Sequence, residues 1–587
     1  MAILLPALIL LLPLLITPGV LFHYDIVPKV VLLALAVSFA LVRGDVAGSL
    51  AALRARRSGQ WLCILSGVQV LWLALGTAIS VRPLFSLLGS NWRRMGLLTF
   101  AALLIFTVLA AGHFASGRGV SQALRAFALA TMIASAYGIL QYFDIDPLQA
   151  ASLYHAQAGD STIVRTPGTL GHADYFGWWL AVSMFCALGM AGVEKGTWRW
   201  VARSAAGLAG VAILVSGTRS AILAVIAGMF SLALLAGVRI RRKQAALAVA
   251  CVALLAAFYF SDGGARMRTR VRWSADEPLG GARPLQWRDS LKMVAARPVQ
   301  GFGLETFSSE FPQYQSVELA RLFPDFYHES PHNSALDVLT ESGVPGLILA
   351  FGWIALGADA TRRAKPARPW LVSALASALV ASGVAGMFGA LTLGPAFATA
   401  VVVAMLVGLN PEDRKAGLIP HGQRSIAGLV AAPLALCLTV YGVWLGLSDF
   451  EAARFQNAAS LATYRTAAAA AMPGAAEDLY FSRRLSQICA GTAGCGILSI
   501  QAAARATQTA DNPPNAWYNL SMFAASQNDA RGVESALRKA SSLAPNWFKP
   551  HWTLGNFLKL TGRPGEAQRE TARAVLLDGG RDPEVGR

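Results

Sequence analysis

Apolar stretches long enough to cross a bilayer recur along most of this chain, and they constrain its fold more than anything else in the sequence. A hydrocarbon core needs about 20 apolar residues per helix. Such segments are predicted near residues 2–21, 28–42, 62–80, 96–113, 122–142, 174–193, 204–217, 220–238, 244–261, 335–357, 370–388, 392–409 and 425–447. The two arms of the 204–238 pair are short for full spans and also fit a single bent element. The expected fold class is therefore all-α: a polytopic membrane protein of about thirteen transmembrane helices. The composition agrees, with 55% hydrophobic and 14% charged residues among 587. The first apolar run lacks a basic start and a clean cleavage site, so it reads as a membrane helix and not as a removed signal peptide.

The net charge of +17 does not point to nucleic acid, because Lys and Arg are spread over short loops and form no single groove. Arg43, Arg54, Arg56 and Arg57; Arg118 and Arg125; Lys195, Arg199 and Arg203; Arg239, Arg241, Arg242 and Lys243; Arg362, Arg363, Lys365 and Arg368; and Arg414, Lys415 and Arg424 occupy alternate loops. Those loops are expected to be cytoplasmic, with the N-terminus inside. Intervals 81–95, 144–173 and 262–334 and everything after 448 then lie outside. This gives a membrane domain over 1–447, with a long external loop at 262–334, and an external helical domain over 448–587.

The terminal domain carries an internal repeat. Tyr518 and Trp552, Leu520 and Leu554, Ala540 and Ala574, and Leu543 and Leu577 are each 34 apart, the period of tetratricopeptide helical pairs. Two repeats, near 512–578, are fewer than usually stand alone, so the module is expected to pack on preceding helices or on the membrane domain, for binding or positioning. Cys63, Cys186, Cys251 and Cys437 lie in apolar segments as small hydrophobes, whereas Cys489 and Cys495, six apart in a polar stretch, fit a local disulfide outside the cytoplasm. Cysteine spacing gives no zinc site, and no Asp-rich or His-rich ligand set is evident, so neither metal nor cofactor is expected.

The longest external loop ends on Ser330-Pro331-His332-Asn333-Ser334, where water meets the next apolar helix. A histidine there can accept a proton from a hydroxyl near neutral pH. Asn333 suits a helix N-cap, and capping alone is the plain alternative for the whole motif. Arg219 lies between two apolar arms, where a charge costs about 2.5–3.5 kcal/mol on insertion scales, so it needs a partner or a route to the headgroups. Arg165 and Arg283 sit in external loops, and each taken alone reads as a surface arginine. Gathered around one histidine, these arginines would clamp a diphosphate, since guanidinium forks match phosphate oxygens. Arg266, Arg268, Arg270 and Arg272 would share one side of an extended strand, as a substrate face or a basic face near lipid headgroups.

Taken together, several motifs resemble the bacterial O-antigen ligase and polymerase superfamily over roughly residues 60–410. They are Pro331-His332-Asn333-Ser334 with Glu341-Ser342-Gly343-Val344-Pro345-Gly346, the Ser216-Gly217-Thr218-Arg219-Ser220 turn, Arg283 to Trp287, and Arg297 to Gly303. Ser80 to Gly89 and Arg165 to Gly171 are similar to family patterns as well. The resemblance implies an inverting, metal-independent glycosyltransferase of the bacterial inner membrane, using an undecaprenyl-diphosphate-linked glycan donor on the periplasmic side. It implies His332 as the essential loop histidine and Arg219 and Arg283 as functional arginines, with Arg165 a further match. Acceptors in the superfamily are lipid A core, another glycan or a protein, and the C-terminal repeats leave that choice open. A protein O-oligosaccharyltransferase is the nearest alternative. A lipid-linked glycan flippase or transporter, and a scaffold that gathers protein partners on its repeats, are alternatives of other classes.

Overall fold

The computed structural model of the chain describes residues 1–117, 119–158, 161–237, 250, 253–276, 281–325, 327–413, 421–471, 477–489 and 495–580. The membrane part comprises α1 (Leu4–Leu14), α2 (Val27–Arg43), α3 (Val46–Arg54), α4 (Arg57–Ala78), α5 (Pro83–Leu88), α6 (Leu97–Ala115), α7 (Val120–Tyr142), α8 (Ala173–Val193), α9 (Gly196–Ser216) and α10 (Arg219–Ala236). A short antiparallel hairpin, β1 (His155–Ala158) with β2 (Ser161–Val164), precedes α8. After it come α11 (Ala265–Asp276), α12 (Arg283–Ala296), α13 (Phe307–Glu310) and α14 (Val317–Leu322) in the long loop, then α15 (Ser334–Ala364), α16 (Pro369–Gly386), α17 (Leu393–Gly408) and α18 (His421–Ala458). The tail continues with α19 (Leu461–Ala470), α20 (Glu477–Ile488), α21 (Gly496–Thr509), α22 (Pro513–Ser526), α23 (Ala530–Leu543), α24 (Phe548–Leu560) and α25 (Pro564–Asp578).

Among the described residues, eight helices are long and apolar enough to cross a membrane, and α2 with α3, bent by 88°, makes a ninth. α1 and α17 are shorter apolar helices. Length and apolarity therefore reach fewer than the thirteen spans expected, and the segment at 244–261 lies partly outside the described residues. The 204–238 pair is two helices, which part at Gly217: α9 packs on α7 and α8, α10 on α16. Close approach depends on small residues. A side chain at Gly228 would collide with the Phe185 ring and one at Gly177 with Ala221, which lets α10 and α8 sit against their neighbours.

Two sequence expectations meet a different geometry. The four arginines of 266–272 lie on α11 and not on a strand, so only residues four apart, such as Arg266 and Arg270, share a face. Their alternation with other residues is also compatible with a helix, which the two-residue period alone could not separate. The boundary at 448 falls inside α18, so the tail begins as an unbroken continuation of a membrane helix.

Several of the described basic loops meet at one end of the bundle. Arg56 donates to the carbonyls of Asn410 (2.9 Å) and Ala115 (2.8 Å), Arg363 pairs with Asp359 and Asp413, and Arg125 pairs with Glu194 at 2.9 Å. The opposite ends of α8 and α15 begin at Ala173 and Ser334.

α15 is broken near its start, and the sequence says why. Pro345 has no amide hydrogen, and Gly343 takes φ +66, where a side chain would also strike the Val299 carbonyl. The carbonyls released at the break find partners in the 298–303 segment: the Phe302 amide donates to Thr340 (2.9 Å) and the Gly303 amide to Glu341 (3.0 Å). The Val344 amide in turn donates to the Pro298 carbonyl at 2.8 Å, and the Trp72 indole donates to Ser342 at 3.0 Å. A third stretch joins them, as the Val81 amide and the Ser80 hydroxyl donate to the Phe302 carbonyl and the Ser86 hydroxyl to Leu304.

Beside this junction Arg93 is 3% exposed and pairs with Glu305, Asp337 and Glu341, all nearly buried. One guanidinium thus compensates three carboxylates on two chain segments. Removing a partner from a buried ion cluster typically costs about 3–5 kcal/mol. Arg93→Ala is expected to lower both the apparent melting temperature and the yield of monodisperse protein in detergent, whereas Arg43→Ala, at an exposed position, leaves both near the parent values.

Candidate functional site

His332 occupies the last turn of the long loop before α15, half-buried, with φ +49, a left-handed conformation uncommon for a side-chain-bearing residue. Its neighbours hold that conformation. The His332 amide donates to the Ser330 hydroxyl at 3.1 Å, and Asn333 caps α15 by accepting from the Ala335 and Leu336 amides at 3.0 and 3.2 Å. From α12, the Trp287 indole donates to the Pro331 carbonyl at 2.8 Å and the Gln286 side chain donates to the Ser330 carbonyl. The carbonyls of the two residues immediately before the histidine are therefore fixed by adjacent residues of one helix.

The same helix begins with Arg283. Its guanidinium lies 3.7 Å from one oxygen of Asp174, whose other oxygen pairs with Arg165 at 3.0 Å. Asp174 is the second residue of α8, and its amide donates to His172 Nδ1 at 3.2 Å. That hydrogen bond requires an unprotonated Nδ1. Burial, opposed by Asp174 and reinforced by Arg165 and Arg283, lowers the His172 pKa to about 4. Burial likewise lowers His332 to about 4, with Arg283 adding to it and Asp174 opposing. Both imidazoles are neutral at pH 7.

Arg219 starts α10, and the Thr218 hydroxyl before it donates to the Ala173 carbonyl at 3.1 Å, which joins this turn to the start of α8. Arg270, on α11, donates to the Gly217 carbonyl at 3.1 Å. Burial and then the positive charges of Arg165, Arg219 and Arg283, against the pull of Asp174, lower the Arg270 pKa to about 10. Arg283 is lowered by burial and by Arg165 and Arg219. Arg165, Arg270 and Arg283 thus repel one another around the carboxylate of Asp174, and Arg219 adds its charge beside Arg270 and Arg283. Such a field favours an added anion.

A cavity of about 510 Å³ adjoins this group, with Arg219, Arg266 and Arg270 at its polar side and Leu214, Val215, Ile222, Leu255 and Phe260 among its walls. His332 and Arg283 do not line it. His332 adjoins Arg283, Asp174 and Arg165, and Arg283 in turn adjoins Arg219 and Arg270.

The structure brings His332, Arg165, Arg219 and Arg283 to one end of the bundle and gives Asn333 the capping geometry. Cys489 and Cys495, far from this group in sequence, are disulfide-bonded with Cα atoms 5.2 Å apart. Sequence reasoning missed Asp174, His172, Gln286 and Trp287 as parts of the site, and treated Arg270 as one of a basic row. An acid at the first turn of an apolar span was the available signal for Asp174.

Residues 204–351 match the family model described as O-Antigen ligase. That span contains Arg219, Arg270, Arg283, His332 and the break in α15, and excludes Arg165, Asp174 and the tail. The match supports a membrane enzyme of the glycosyltransferase type. No curated protein matches the chain.

A neutral His332 has a measurable consequence. Modification by diethyl pyrocarbonate, which requires unprotonated imidazole, should proceed at His332 at a rate nearly flat between about pH 5.5 and 8, whereas an ordinary histidine accelerates across about 6.5. Peptide mass mapping over a pH series checks this, and acceleration at His332 through that range would contradict its burial.

Proposed function

We propose that this protein transfers a glycan from an undecaprenyl-diphosphate-linked donor to an acceptor hydroxyl at the outer face of the bacterial inner membrane. The observation that carries this reading is the His332 imidazole set beside Arg283, Arg165 and Asp174, with Arg219 and Arg270 adjoining the same group. The outward assignment rests on the positive-inside rule, since Arg56, Arg125 and Arg363 gather at the other ends of the described helices. The N-terminus is then cytoplasmic and the tail periplasmic.

In the proposed reaction, the acceptor oxygen attacks the sugar C1 as the bond from C1 to the diphosphate oxygen breaks on the opposite face, so the anomeric centre inverts. His332 takes the hydroxyl proton. The electron pair of the broken bond stays on the lipid diphosphate, whose added charge Arg219, Arg283 and Arg165 stabilise, joined by Arg270. Asp174 stabilises the imidazolium that forms on His332. The apolar walls beside Arg219 and Arg270 suit the first isoprene units of the donor. No step calls for a metal ion.

The domain reading is a membrane transferase over 1–447, including the periplasmic loop 262–334, and a tail over 448–587. Within the tail, α22 with α23 and α24 with α25 form two successive packed helix pairs, which supports the tetratricopeptide-like reading of 512–578. Lipid A core, a second lipid-linked glycan and a protein hydroxyl are the acceptor classes.

The test combines purified protein with a lipid-diphosphate glycan and each acceptor class separately. One class is expected to gain a new glycosidic bond with inverted configuration. His332→Ala should lower that rate by about 10²–10⁴-fold. Arg219→Ala or Arg283→Ala should lower it by about 10²–10³-fold without matching loss of protein. Transfer by the His332→Ala protein at the parent rate would refute the assigned base, and donor translocation across vesicles with no new bond would favour a flippase.

A further inference from the structure

The tail is seated on the loop that carries His332, and the seat has two anchors. At the first, the joint between α21 and α22 fits against the membrane domain's outer turns. Arg82 donates to the carbonyls of Gln508 (2.6 Å) and Ala510 (2.9 Å), while the Asp511 carboxylate accepts from the Asn91 amide (3.1 Å) and side chain (3.2 Å). The Asp511 carbonyl accepts from the Ser308 hydroxyl at 3.3 Å and from the Tyr327 hydroxyl at 2.9 Å. At the second, Trp547 donates to Asp325 at 3.1 Å, Lys549 pairs with the same carboxylate, and Asn546 donates to the Gln315 carbonyl.

Both anchors bear on the few residues before His332. Asp325 and Tyr327 are held from the tail, and Ser330 and Pro331 are held from α12 by Gln286 and Trp287. His328, buried between the two grips, meets the Phe311 ring edge-on. Residues 325, 327, 330 and 331 are therefore held by two separate elements, one of which belongs to the C-terminal module. The left-handed turn at His332 is a conformation that isolated sequence does not favour, so it depends on such clamps.

We propose that Asp511 and Tyr327 are positioning residues for glycan transfer: the docked tail, through the α21–α22 joint, holds the His332 segment in its working conformation. The tail is then a working part of the transferase and not a detachable docking arm. The catalytic consequence rests on the transferase reading of the preceding section, whereas the clamp itself does not.

The test uses the full-length protein in detergent or nanodiscs, with three variants outside the proposed substrate-contacting group. Tyr327→Phe removes one hydroxyl and keeps the ring, Asp511→Ala removes the clamp on Asn91, and Asp511→Asn keeps an acceptor for it. Two measurements are made: hydrogen–deuterium exchange of the peptide spanning 325–333, with α16 as internal reference, and kcat with donor KM. Faster exchange at 325–333 with α16 unchanged is expected for Tyr327→Phe and Asp511→Ala. The expected kinetic result is a kcat lowered by about 10-fold at unchanged donor KM, the size of one hydrogen bond, with Asp511→Asn near the parent. Unchanged exchange in both variants overturns the clamp. Faster exchange with parental kcat, or a rise in KM alone, overturns the positioning role. If no acceptor is ever glycosylated by the parent protein, the transferase reading fails, and the exchange data still decide the clamp.

Discussion

A helix that contains proline must find a substitute donor for the carbonyl four residues back, and here that requirement organises the outer half of the molecule. The Glu341 carbonyl, left open by Pro345, is taken by the Gly303 amide at 3.0 Å, and the exchange of Thr340 and Val344 with Phe302 and Pro298 completes the seam. Gly343 is required because a Cβ would collide with the Val299 carbonyl, and Gly301 because its own would collide with the Glu341 backbone. Two motifs about forty residues apart in sequence are thus halves of one junction. Residues 80–86 close it from a third direction.

Charge is distributed unevenly on the two sides of the start of α15. Asp337 and Glu341, one turn apart, share the face turned to Arg93, where carboxylates outnumber the cation three to one. Near the helix's first residues arginines predominate instead, with Arg165, Arg270 and Arg283 around Asp174 and His332 close by. The acid-rich cluster is almost dry and serves rigidity. The arginine group is partly open, with the Arg165 and Arg283 side chains 29% and 26% exposed, and so stands where a ligand can meet it.

Much of this was legible in the sequence because the signals were local. Apolar length marked the helices and Asn333 read as a cap, whereas 335–357 read as one continuous helix and the break at Gly343 and Pro345 did not stand out. What pairs with a break is not local, so 297–303 and 341–346 read only as separate motifs of one resemblance, and the hydrogen bonds between them stayed out of reach. Asp174 was hidden for a related reason: its meaning lies in Arg165 and Arg283, which arrive from a hairpin and a distant helix. Arg270 was obscured by period. Four arginines at every second position fit a strand or a helix equally until the backbone decides, and on α11 they separate, leaving Arg266 and Arg270 to line the cavity together.

The arrangement also explains why the proposed base is mounted at a helix start and not within a span. An imidazole deep in hydrocarbon would have no acceptor hydroxyl to meet, and one on an open loop would lack fixed geometry. At position 332 the backbone is secured behind by the Asn333 cap, ahead by Gln286 and Trp287, and farther out by the tail's hold on Tyr327. Only the side chain is left to face the arginine group. Preorganisation of that kind lowers the reorganisation needed when charge develops on a leaving diphosphate, and it is most effective when the supports come from segments that do not move together. Here they come from the α15 brace, the long loop and the tail, so displacing the ring requires more than one of them to yield.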